Sequence, residues 1–243
     1  MKIAVAGATG LVGSQVTALA RAQGHEVVEL ARSTGFDLLN PDGRLRGALV
    51  GVDAVVDVTS SPSVDGAEAE TFFTTVAENL GRAAAAAGVQ RTVVLSIVGT
   101  DLSPDFGYYV AKVAQEQAYR AHAPGVLIVR ATQFHEFAIQ AIDWYRQGDV
   151  VYALDAPTQP VATAEIAVLL VSAAVGEVAG DVDLAGPKAE HMVDLVERVI
   201  ERRGLNLKVE TAPTPQSMMD GSMLPGPGAL LRGPDWQTWF DQQ

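Results

Sequence analysis

The residues best suited to acid–base chemistry lie in the stretch YYVAK at positions 108–112. Tyr108 and Lys112 are four residues apart, so a helix would place both side chains on one face. A neighbouring ammonium favours tyrosinate and lowers the pKa of a tyrosine, which lets the phenol exchange a proton near neutral pH. Tyr109 has no such partner. The alternative interpretation is a solvent-facing helix on which Lys112 pairs with Glu116.

A third polar residue precedes this pair. Ser96 lies 12 residues before Tyr108 and closes the apolar run VVL at 93–95. If that run is a strand, the hydroxyl lies at the carboxyl edge of a parallel sheet, where open α/β sheets bind ligands. A hydroxyl there can hydrogen-bond a carbonyl oxygen that gains negative charge. The predicted catalytic residues are therefore Ser96, Tyr108 and Lys112.

A glycine-rich turn, GATGLVG at 7–13, stands between the first apolar run and the first amphipathic segment. The first glycine permits a tight turn, the second lets the backbone approach a pyrophosphate, and the third lets helix and strand pack closely. Exposed amides and the helix dipole would then hold the diphosphate of a dinucleotide. A plain strand-to-helix turn is the alternative. The predicted cofactor-binding residues here are Gly7, Thr9, Gly10, Leu11, Val12 and Gly13.

The end of the second predicted strand bears on which dinucleotide binds. An NAD site usually has an acidic residue about 20 residues after the glycines. Arg32 and Ser33 stand there instead, and a guanidinium matches a 2′-phosphate, so we predict that NADP(H) is preferred over NAD(H). The alternatives are a solvated Arg32 and a Glu29 that binds the ribose. Further adenosine contacts are predicted for Asp37, Leu38, Thr59 and Ser60.

The elements that must position these residues follow an alternating pattern. Short β-branched runs alternate with stretches of helical periodicity, which is typical of a parallel sheet covered on both faces. The predicted fold class is α/β, with a single Rossmann-like doubly wound parallel sheet. Helices are predicted from about Leu11 to Gly24, at 65–87 and at 108–122. The predicted strands are 2–6, 26–31, 53–59, 91–96 and 125–130.

The C-terminal part is expected to be a small cap. We predict an NAD(P)-binding core at 1–150 and, at 151–243, a substrate-binding cap with a Pro/Gly-rich arm packed on the same domain. This part has a short predicted strand at 150–153, two amphipathic helices, and two further strands at 181–184 and 207–211. From residue 212 the chain is rich in Pro, Gly and Met, and its apolar side chains favour packing over a free tail.

Composition excludes several classes of function. The 243 residues, 48% hydrophobic and 19% charged, predict one compact domain. A net charge of −12 disfavours nucleic acid and anionic membranes, so the expected partner is a small-molecule substrate. There is no cysteine for disulfides or thiolate chemistry, and no apolar run long enough to cross a bilayer, so we expect a cytoplasmic protein. The fold class alone suggests a homodimer.

The segment after Arg130 is expected to pass the cofactor and enter the substrate pocket. A packed, hydrogen-bonded His135 is the alternative to a substrate contact. No metal site is predicted, because the chain has no Cys and no second His or acidic pair at ligand spacing. The predicted cofactor contacts are Ala131 and Thr132, and the predicted substrate contacts are Phe134 and His135.

The glycine turn, Ser96, the Tyr108/Lys112 pair and the run RATQFH at 130–135 together resemble the short-chain dehydrogenase/reductase superfamily. More narrowly, LSIVG at 95–99 followed by a Tyr-Tyr helix is similar to the atypical, NmrA-like NAD(P)H-binding branch. The resemblance implies a Rossmann fold and a nicotinamide cofactor. It also implies that Tyr108 is the acid, that Lys112 binds the nicotinamide ribose and lowers the tyrosine pKa, and that Ser96 orients the substrate.

The expected function is NAD(P)H-dependent hydride transfer to a carbonyl or quinone of a small, largely apolar molecule, and quinones and polycyclic aromatic natural products fit this description by analogy. A variant of that chemistry would use the reduced cofactor to assist an oxygenation. The alternative is an NmrA-like regulatory protein that senses NAD(P) without turnover, and a third is an epimerase or dehydratase with a tightly held cofactor. Tyr108 with Lys112 favours turnover, since a sensor does not need them.

Overall fold

The computed structural model describes residues 1–243 without a gap, and helices and strands alternate through most of the chain. The strands are β1 (Lys2–Ala6), β2 (Glu26–Leu30), β3 (Ala54–Asp57), β4 (Arg91–Ile97), β5 (Val126–Ala131), β6 (Arg146–Gln147), β7 (Val150–Leu154), β8 (Pro157–Thr158), β9 (Val182–Ala185), β10 (Glu190–His191), β11 (Lys208–Ala212) and β12 (Leu230–Leu231). The helices are α1 (Leu11–Ala22), α2 (Gly43–Ala48), α3 (Gly66–Ala87), α4 (Gly107–His122), α5 (Phe137–Trp144), α6 (Thr163–Val175), α7 (Met192–Arg202), α8 (Gln216–Met219) and α9 (Trp236–Phe240).

Seven strands form one sheet in the order β12-β9-β5-β4-β3-β1-β2. β1 pairs in parallel with both β2 and β3, and β3 pairs in parallel with β4. Because β2 and β3 lie on opposite sides of β1, the chain changes direction across the sheet at β1. Open α/β sheets bind ligands at the carboxyl ends of the strands beside such a switch point. The predicted α/β, Rossmann-like sheet is confirmed.

The chain divides into two compact units, each assembled from separate stretches. The first comprises Met1–Ser96, Phe106–Arg130 and Ala164–Val182. The second comprises Ile97–Asp105, Ala131–Thr163 and Asp183–Gln243. The division by role, with a cofactor core at 1–150 and a substrate cap at 151–243, stays a prediction.

Close packing of α3 against α4 organises the first unit. A Cβ added to Gly66 would lie 2.8 Å from the Cα of Gly107, so glycine allows the two helix N-termini to touch. Asp65 caps the N-terminus of α3 with a carboxylate that accepts hydrogen bonds from the first turn, and Gly88, with φ +78°, caps its C-terminus. Each apolar side chain buried fully beneath these helices contributes roughly 1.5–3 kcal/mol. The core between helices and sheet includes Leu30, Val55, Leu80, Tyr119 and Ile128.

The second unit has its own apolar core around β7 and α7. Val151, Leu195 and Val199 pack there with Trp236 and Phe240 of the C-terminal helix. The C-terminal end of the tail therefore packs within the second unit, and its part in a substrate-binding cap stays a prediction. None of the helices combines the length and the hydrophobicity needed to cross a bilayer.

The predicted elements of the first 131 residues lie within about two residues of the observed ones, but the end of β3 and two short helices differ from the prediction. β3 ends at Asp57 instead of Thr59, because the Asp57 carboxylate accepts a hydrogen bond from the Thr59 amide at 2.9 Å. The helices α2 and α5 were not predicted. α2 is six residues long and contains two glycines, so its propensity is weak, and Asp42 starts it by capping the Arg44 amide.

Candidate active site

The glycine turn has no room for side chains. Gly7 has φ +80°, and a Cβ there would lie 2.9 Å from the Val58 carbonyl oxygen. A Cβ on Gly13 would lie 2.0 Å from the Gly7 carbonyl oxygen. The turn is thus held against the end of β3 on one side and against α1 on the other. Close backbone packing of this kind requires glycine.

The N-terminus of α1 is suited to bind a phosphate. Gly10 caps the helix without any side-chain hydrogen bond, and Thr9, Gly10 and Leu11 are exposed. Val12 and Gly13 are buried beneath them. Uncapped amides at the positive end of a helix dipole attract a diphosphate. The turn therefore fits the dinucleotide that the sequence predicts.

A pocket of about 250 Å³ lies beside the 3₁₀ turn that follows β2. The Gly7 amide bonds the Leu30 carbonyl at 3.0 Å, which ties the glycine turn to the end of β2. Arg32 and Ser33 are exposed just beyond, and the Arg32 guanidinium adjoins Asp37. Hydrogen bonds from Leu39 and Asn40 lower the pKa of the Asp37 carboxyl. The lining of the pocket includes Arg32, Asp37, Leu38 and Arg44.

Two side chains near this pocket are already engaged. Glu29, the alternative ribose ligand, accepts a hydrogen bond from Arg21 at 2.7 Å. Asn79 on α3 donates to the carbonyls of Leu38 and Leu39 at 2.9 and 3.2 Å, which anchors the loop that carries Asp37.

Thr59 and Ser60 follow β3 beside the glycine turn. A Cβ on Gly7 would lie 3.1 Å from the Thr59 amide nitrogen, so the two segments are in contact. The Thr59 hydroxyl is buried without a partner, and Ser60 is exposed. The fold therefore brings these predicted adenosine contacts to the edge where the glycine turn lies.

Tyr108 and Lys112 contact the same aromatic ring. The rings of Tyr108 and Phe73 meet edge-on with centroids 5.6 Å apart, and the Lys112 ammonium lies 4.5 Å from the Phe73 centroid. The solvent-facing alternative is wrong, because Lys112 is buried and Glu116 instead accepts two hydrogen bonds from Arg130. The predicted pair thus shares one inward face of α4.

The Lys112 ammonium has two hydrogen-bond acceptors. It donates to the Leu95 carbonyl oxygen of β4 at 2.9 Å and to the Gln115 amide oxygen. Burial lowers the pKa of Lys112 to about 8, and the charges of Asp57 and Glu116 partly oppose that shift. A lysine ammonium has three N–H groups, so one remains that neither hydrogen bond uses.

Ser96 lies next to the residue that holds Lys112. Its hydroxyl is buried and has no hydrogen-bond partner. The Leu95 carbonyl that accepts the hydrogen bond from Lys112 belongs to the peptide group that joins Leu95 to Ser96. A buried donor without a partner is costly, so it calls for an explanation such as a ligand. The backbone of β4 beside Ser96 thus contacts Lys112, and the catalytic role of the three residues stays a prediction.

In the second unit, the residues predicted to meet the cofactor are enclosed. Ala131 and Thr132 are buried. The Thr132 hydroxyl donates to the Gln159 carbonyl at 2.6 Å, and its amide donates to the Leu184 carbonyl at 2.9 Å. These bonds fix the segment after β5, and its cofactor contact stays a prediction.

The two predicted substrate contacts also lie in the second unit. Phe134 is half-buried, and its backbone forms a bridge with Val161. His135 is fully buried, its Nε2 lies 3.2 Å from the Pro234 carbonyl, and its ring packs beside Trp239. Burial lowers the pKa of His135. The packing alternative thus describes its surroundings, and a substrate contact stays a prediction.

Sequence reasoning missed a buried polar cluster behind Lys112. Asp57, Gln115 and Tyr119 are each fully buried. The Gln115 amide and the Tyr119 hydroxyl both donate to Oδ2 of Asp57, at 2.9 and 2.7 Å. The available signal was a charged residue inside the apolar run AVVDV at 54–58, since strands covered on both faces rarely hold an unpaired acid.

Comparison with known proteins identifies the family. Residues 3–134, more than half of the chain, match the model of the NAD dependent epimerase/dehydratase family. The chain belongs to this family. Its members are of the short-chain dehydrogenase/reductase type, so this family member is an NAD(P)-dependent enzyme of the reductase/epimerase class that binds a nicotinamide cofactor. The narrower NmrA-like assignment stays a prediction. No curated protein matches the sequence significantly.

Solved structures share the fold at low sequence identity. The family member is similar to a dTDP-4-dehydrorhamnose reductase from Clostridium acetobutylicum, with a TM-score of 0.75, 17% identity, and coverage of 100% of this chain and 98% of that chain. The corresponding reductase from Bacillus anthracis, in complex with NADP, has a TM-score of 0.72 and 14% identity, with coverage of 99% of this chain and 97% of that chain. MoeE5 in complex with UDP-glucose and NAD has a TM-score of 0.73 and 18% identity, with coverage of 100% of this chain and 99% of that chain.

Proposed function

We propose that this enzyme is an NAD(P)H-dependent reductase that transfers hydride to a carbonyl or quinone of a small, largely apolar molecule. The observation that carries the proposal is the buried, unpartnered Ser96 hydroxyl beside Leu95, whose carbonyl holds Lys112. Tyr108 shares the Phe73 ring with that lysine. A hydroxyl, a phenol and an ammonium that act together on one substrate oxygen would suit the reduction of a carbonyl.

Each of the three residues has a defined task. A bound nicotinamide cofactor supplies the hydride. Ser96 donates a hydrogen bond to the substrate oxygen as negative charge develops on it. Tyr108 gives its phenolic proton to that oxygen. Lys112 stabilises the tyrosinate that remains, and its unused N–H is available to a ribose hydroxyl.

NADPH is the proposed cofactor. Arg32 adjoins the pocket after β2 and is exposed, so its guanidinium is accessible to a 2′-phosphate. Glu29, which would serve NAD, is paired with Arg21. Asp37 and Asp42 also line the pocket, and Arg44 is held by Asp42, so Arg32 is the guanidinium we assign to the phosphate.

An aromatic cluster in the second unit supports an apolar substrate. Phe137, Trp144 and Tyr145 contact one another with ring centroids 5.9 to 6.4 Å apart. Trp144 is 58% exposed and Tyr145 is 39% exposed, which is unusual for large rings without a ligand. The structural neighbours named dTDP-4-dehydrorhamnose reductases suggest a second substrate class to test, a keto sugar nucleotide.

The test is consumption of NADPH and NADH over a panel of quinones, aromatic ketones and a dTDP-4-keto sugar. Wild type is compared with Tyr108→Phe and with the matched control Tyr109→Phe, whose ring instead contacts Phe106. We expect Tyr108→Phe to lose about 100-fold or more in kcat while cofactor binding, followed by fluorescence, is kept. Tyr109→Phe should keep most of the activity.

Other outcomes would overturn the proposal. If wild type binds cofactor but consumes none with any substrate, the reductase assignment fails and a regulatory protein that senses NAD(P) becomes the better account. If the protein purifies with tightly held NAD(P) and converts substrate without net consumption, it is an epimerase or dehydratase.

A further inference from the structure

The polar cluster behind Lys112 forms a continuous chain of hydrogen bonds. The ammonium donates to the Gln115 amide oxygen, and the Gln115 amide nitrogen donates to Oδ2 of Asp57 at 2.9 Å. An ammonium can only donate and a carboxylate can only accept, so the amide has one possible orientation. Its dipole therefore lies between the positive and negative charges and stabilises both.

The far end of this chain is anchored from two sides. The Tyr119 hydroxyl donates to the same Asp57 oxygen at 2.7 Å, and the Thr59 amide donates to the other oxygen at 2.9 Å. The side chains of Asp57, Gln115 and Tyr119 are fully buried. A buried carboxylate with three donors is rigid, so the Gln115 amide that it holds is also fixed.

We infer that Asp57 and Gln115 form a buried relay that positions the Lys112 ammonium and keeps it charged at the active site. Both are positioning residues, because neither reaches the glycine turn or the Ser96 hydroxyl by any hydrogen bond in the structure. The inference deepens the proposed reductase function, on which its catalytic part rests.

Two carboxylates oppose the loss of the Lys112 proton, and Asp57 has the larger effect. Glu116 lies four residues on, but Arg130 holds its carboxylate with two hydrogen bonds. Tyr108 and Ser96 carry neutral hydroxyl groups, and the α3 residue in contact with the ammonium, Phe73, is uncharged. Burial lowers the pKa of Lys112, and the Asp57 charge opposes this.

The relay is tested by the titration of Lys112 itself. The chain has only four lysines, so lysine labelled with ¹³C at Cε gives four signals, and Lys112→Met identifies the one of interest. We expect the titration of the Lys112 ammonium in wild type to have its midpoint near pH 8. That is the pKa that results from burial and from the opposing charges of Asp57 and Glu116. Asp57→Asn should lower that midpoint by about one pH unit or more, because the neighbouring negative charge is lost.

Two more variants complete the design. Gln115→Met keeps the Asp57 charge but removes the bridging amide, so it should also lower the midpoint and reduce kcat by about 2- to 10-fold. It keeps the test decisive if Asp57→Asn does not fold. Asp53→Asn is the matched control, because the Asp53 carboxylate precedes β3, at the opposite end of that strand from Asp57, and accepts a hydrogen bond from the Lys2 amide. This variant should leave the Lys112 midpoint unchanged.

The outcomes separate the relay from the reductase proposal. If the alkaline limb of the kcat profile for NADPH consumption shifts with the Lys112 midpoint, the relay serves catalysis. An unchanged midpoint in Asp57→Asn and Gln115→Met overturns the relay whatever the activity. A shifted midpoint with an unmoved alkaline limb overturns its catalytic part. A shifted midpoint in a protein that consumes no cofactor supports the electrostatic relay and overturns the proposed function.

Discussion

The Lys112 ammonium lies 4.5 Å from the centroid of the Phe73 ring, and the same ring meets Tyr108 edge-on. Phe73 is fully buried on α3, so it forms a fixed floor beneath both residues. The two predicted catalytic side chains are thus aligned by a residue that has no chemistry of its own.

Phe73→Leu should therefore lower activity while the protein stays folded. The loss of the cation–π contact and of the aromatic support corresponds to roughly 0.5–2 kcal/mol, or about 2- to 30-fold in kcat. Steady-state kinetics and thermal unfolding check this. Phe72→Leu, which changes the half-buried neighbouring ring, is the control, and equal losses in both variants would contradict a specific role for Phe73.

Gly13→Ala should weaken cofactor binding. The new methyl group would lie 2.0 Å from the Gly7 carbonyl oxygen, so the turn or the helix must move. Overpacking of this kind costs roughly 1–3 kcal/mol, which corresponds to a loss of about 5- to 150-fold in cofactor affinity if the turn moves. Titration with NADPH measures the loss. Gly47→Ala, where a Cβ meets nothing within 4 Å, should bind as wild type does.

Arg32→Ala should weaken NADPH and spare NADH. A hydrogen bond to a charged group contributes roughly 1.5–3 kcal/mol, so the KM for NADPH should rise about 10- to 150-fold. The measurement is the ratio of kcat/KM for the two cofactors. Arg46→Ala on α2 is exposed but does not line the pocket, and it should leave the ratio unchanged. An equal loss for both cofactors would rule out recognition of the 2′-phosphate by Arg32.

Glu116→Gln should destabilise the first unit. The Glu116 side chain is 8% exposed and that of Arg130 is 26% exposed, so the variant weakens a largely buried ion pair in which the carboxylate accepts two hydrogen bonds from the guanidinium. Breaking such a pair costs roughly 3–5 kcal/mol, and urea unfolding measures it. Glu78→Gln breaks an exposed pair with Arg82 and should cost at most about 0.5 kcal/mol. Similar costs for the two variants would contradict this account.

Stability should depend on pH through Lys112. The pKa of this lysine falls from 10.5 to about 8 on folding, so between these values the unfolded chain binds more protons than the native protein. The free energy of unfolding contributed by this group is therefore lowest below pH 8 and rises toward pH 10.5, by at most about 1.4 kcal/mol per pH unit. Urea unfolding at pH 7.5 and 9.5 gives the free energy of unfolding of wild type and of Lys112→Met. The value for wild type minus that for the variant should be larger at pH 9.5 than at pH 7.5. A constant difference would show that Lys112 does not titrate in this window.

Local patterns were enough to predict the frame of the site. The strands β1 to β5 and the helices α1, α3 and α4 carry clear hydrophobic periods with glycine or aspartate at their ends, and these signals act within a few residues. Helix geometry alone places Tyr108 and Lys112 on one face. By contrast, α5 has no end signal, since Glu136 caps it without a side-chain hydrogen bond, and it was not predicted.

The sequence by itself determined the α/β class, the glycine turn and the pairing of Tyr108 with Lys112, because each depends on residues close together in the chain. Only the tertiary structure decided what surrounds Lys112. Asp57 and Gln115 are separated by 58 positions, and Glu116 bonds Arg130 on another element instead of the nearby lysine. Burial also decided the charge balance, since desolvation depends on how many atoms pack around a group and not on its neighbours in sequence.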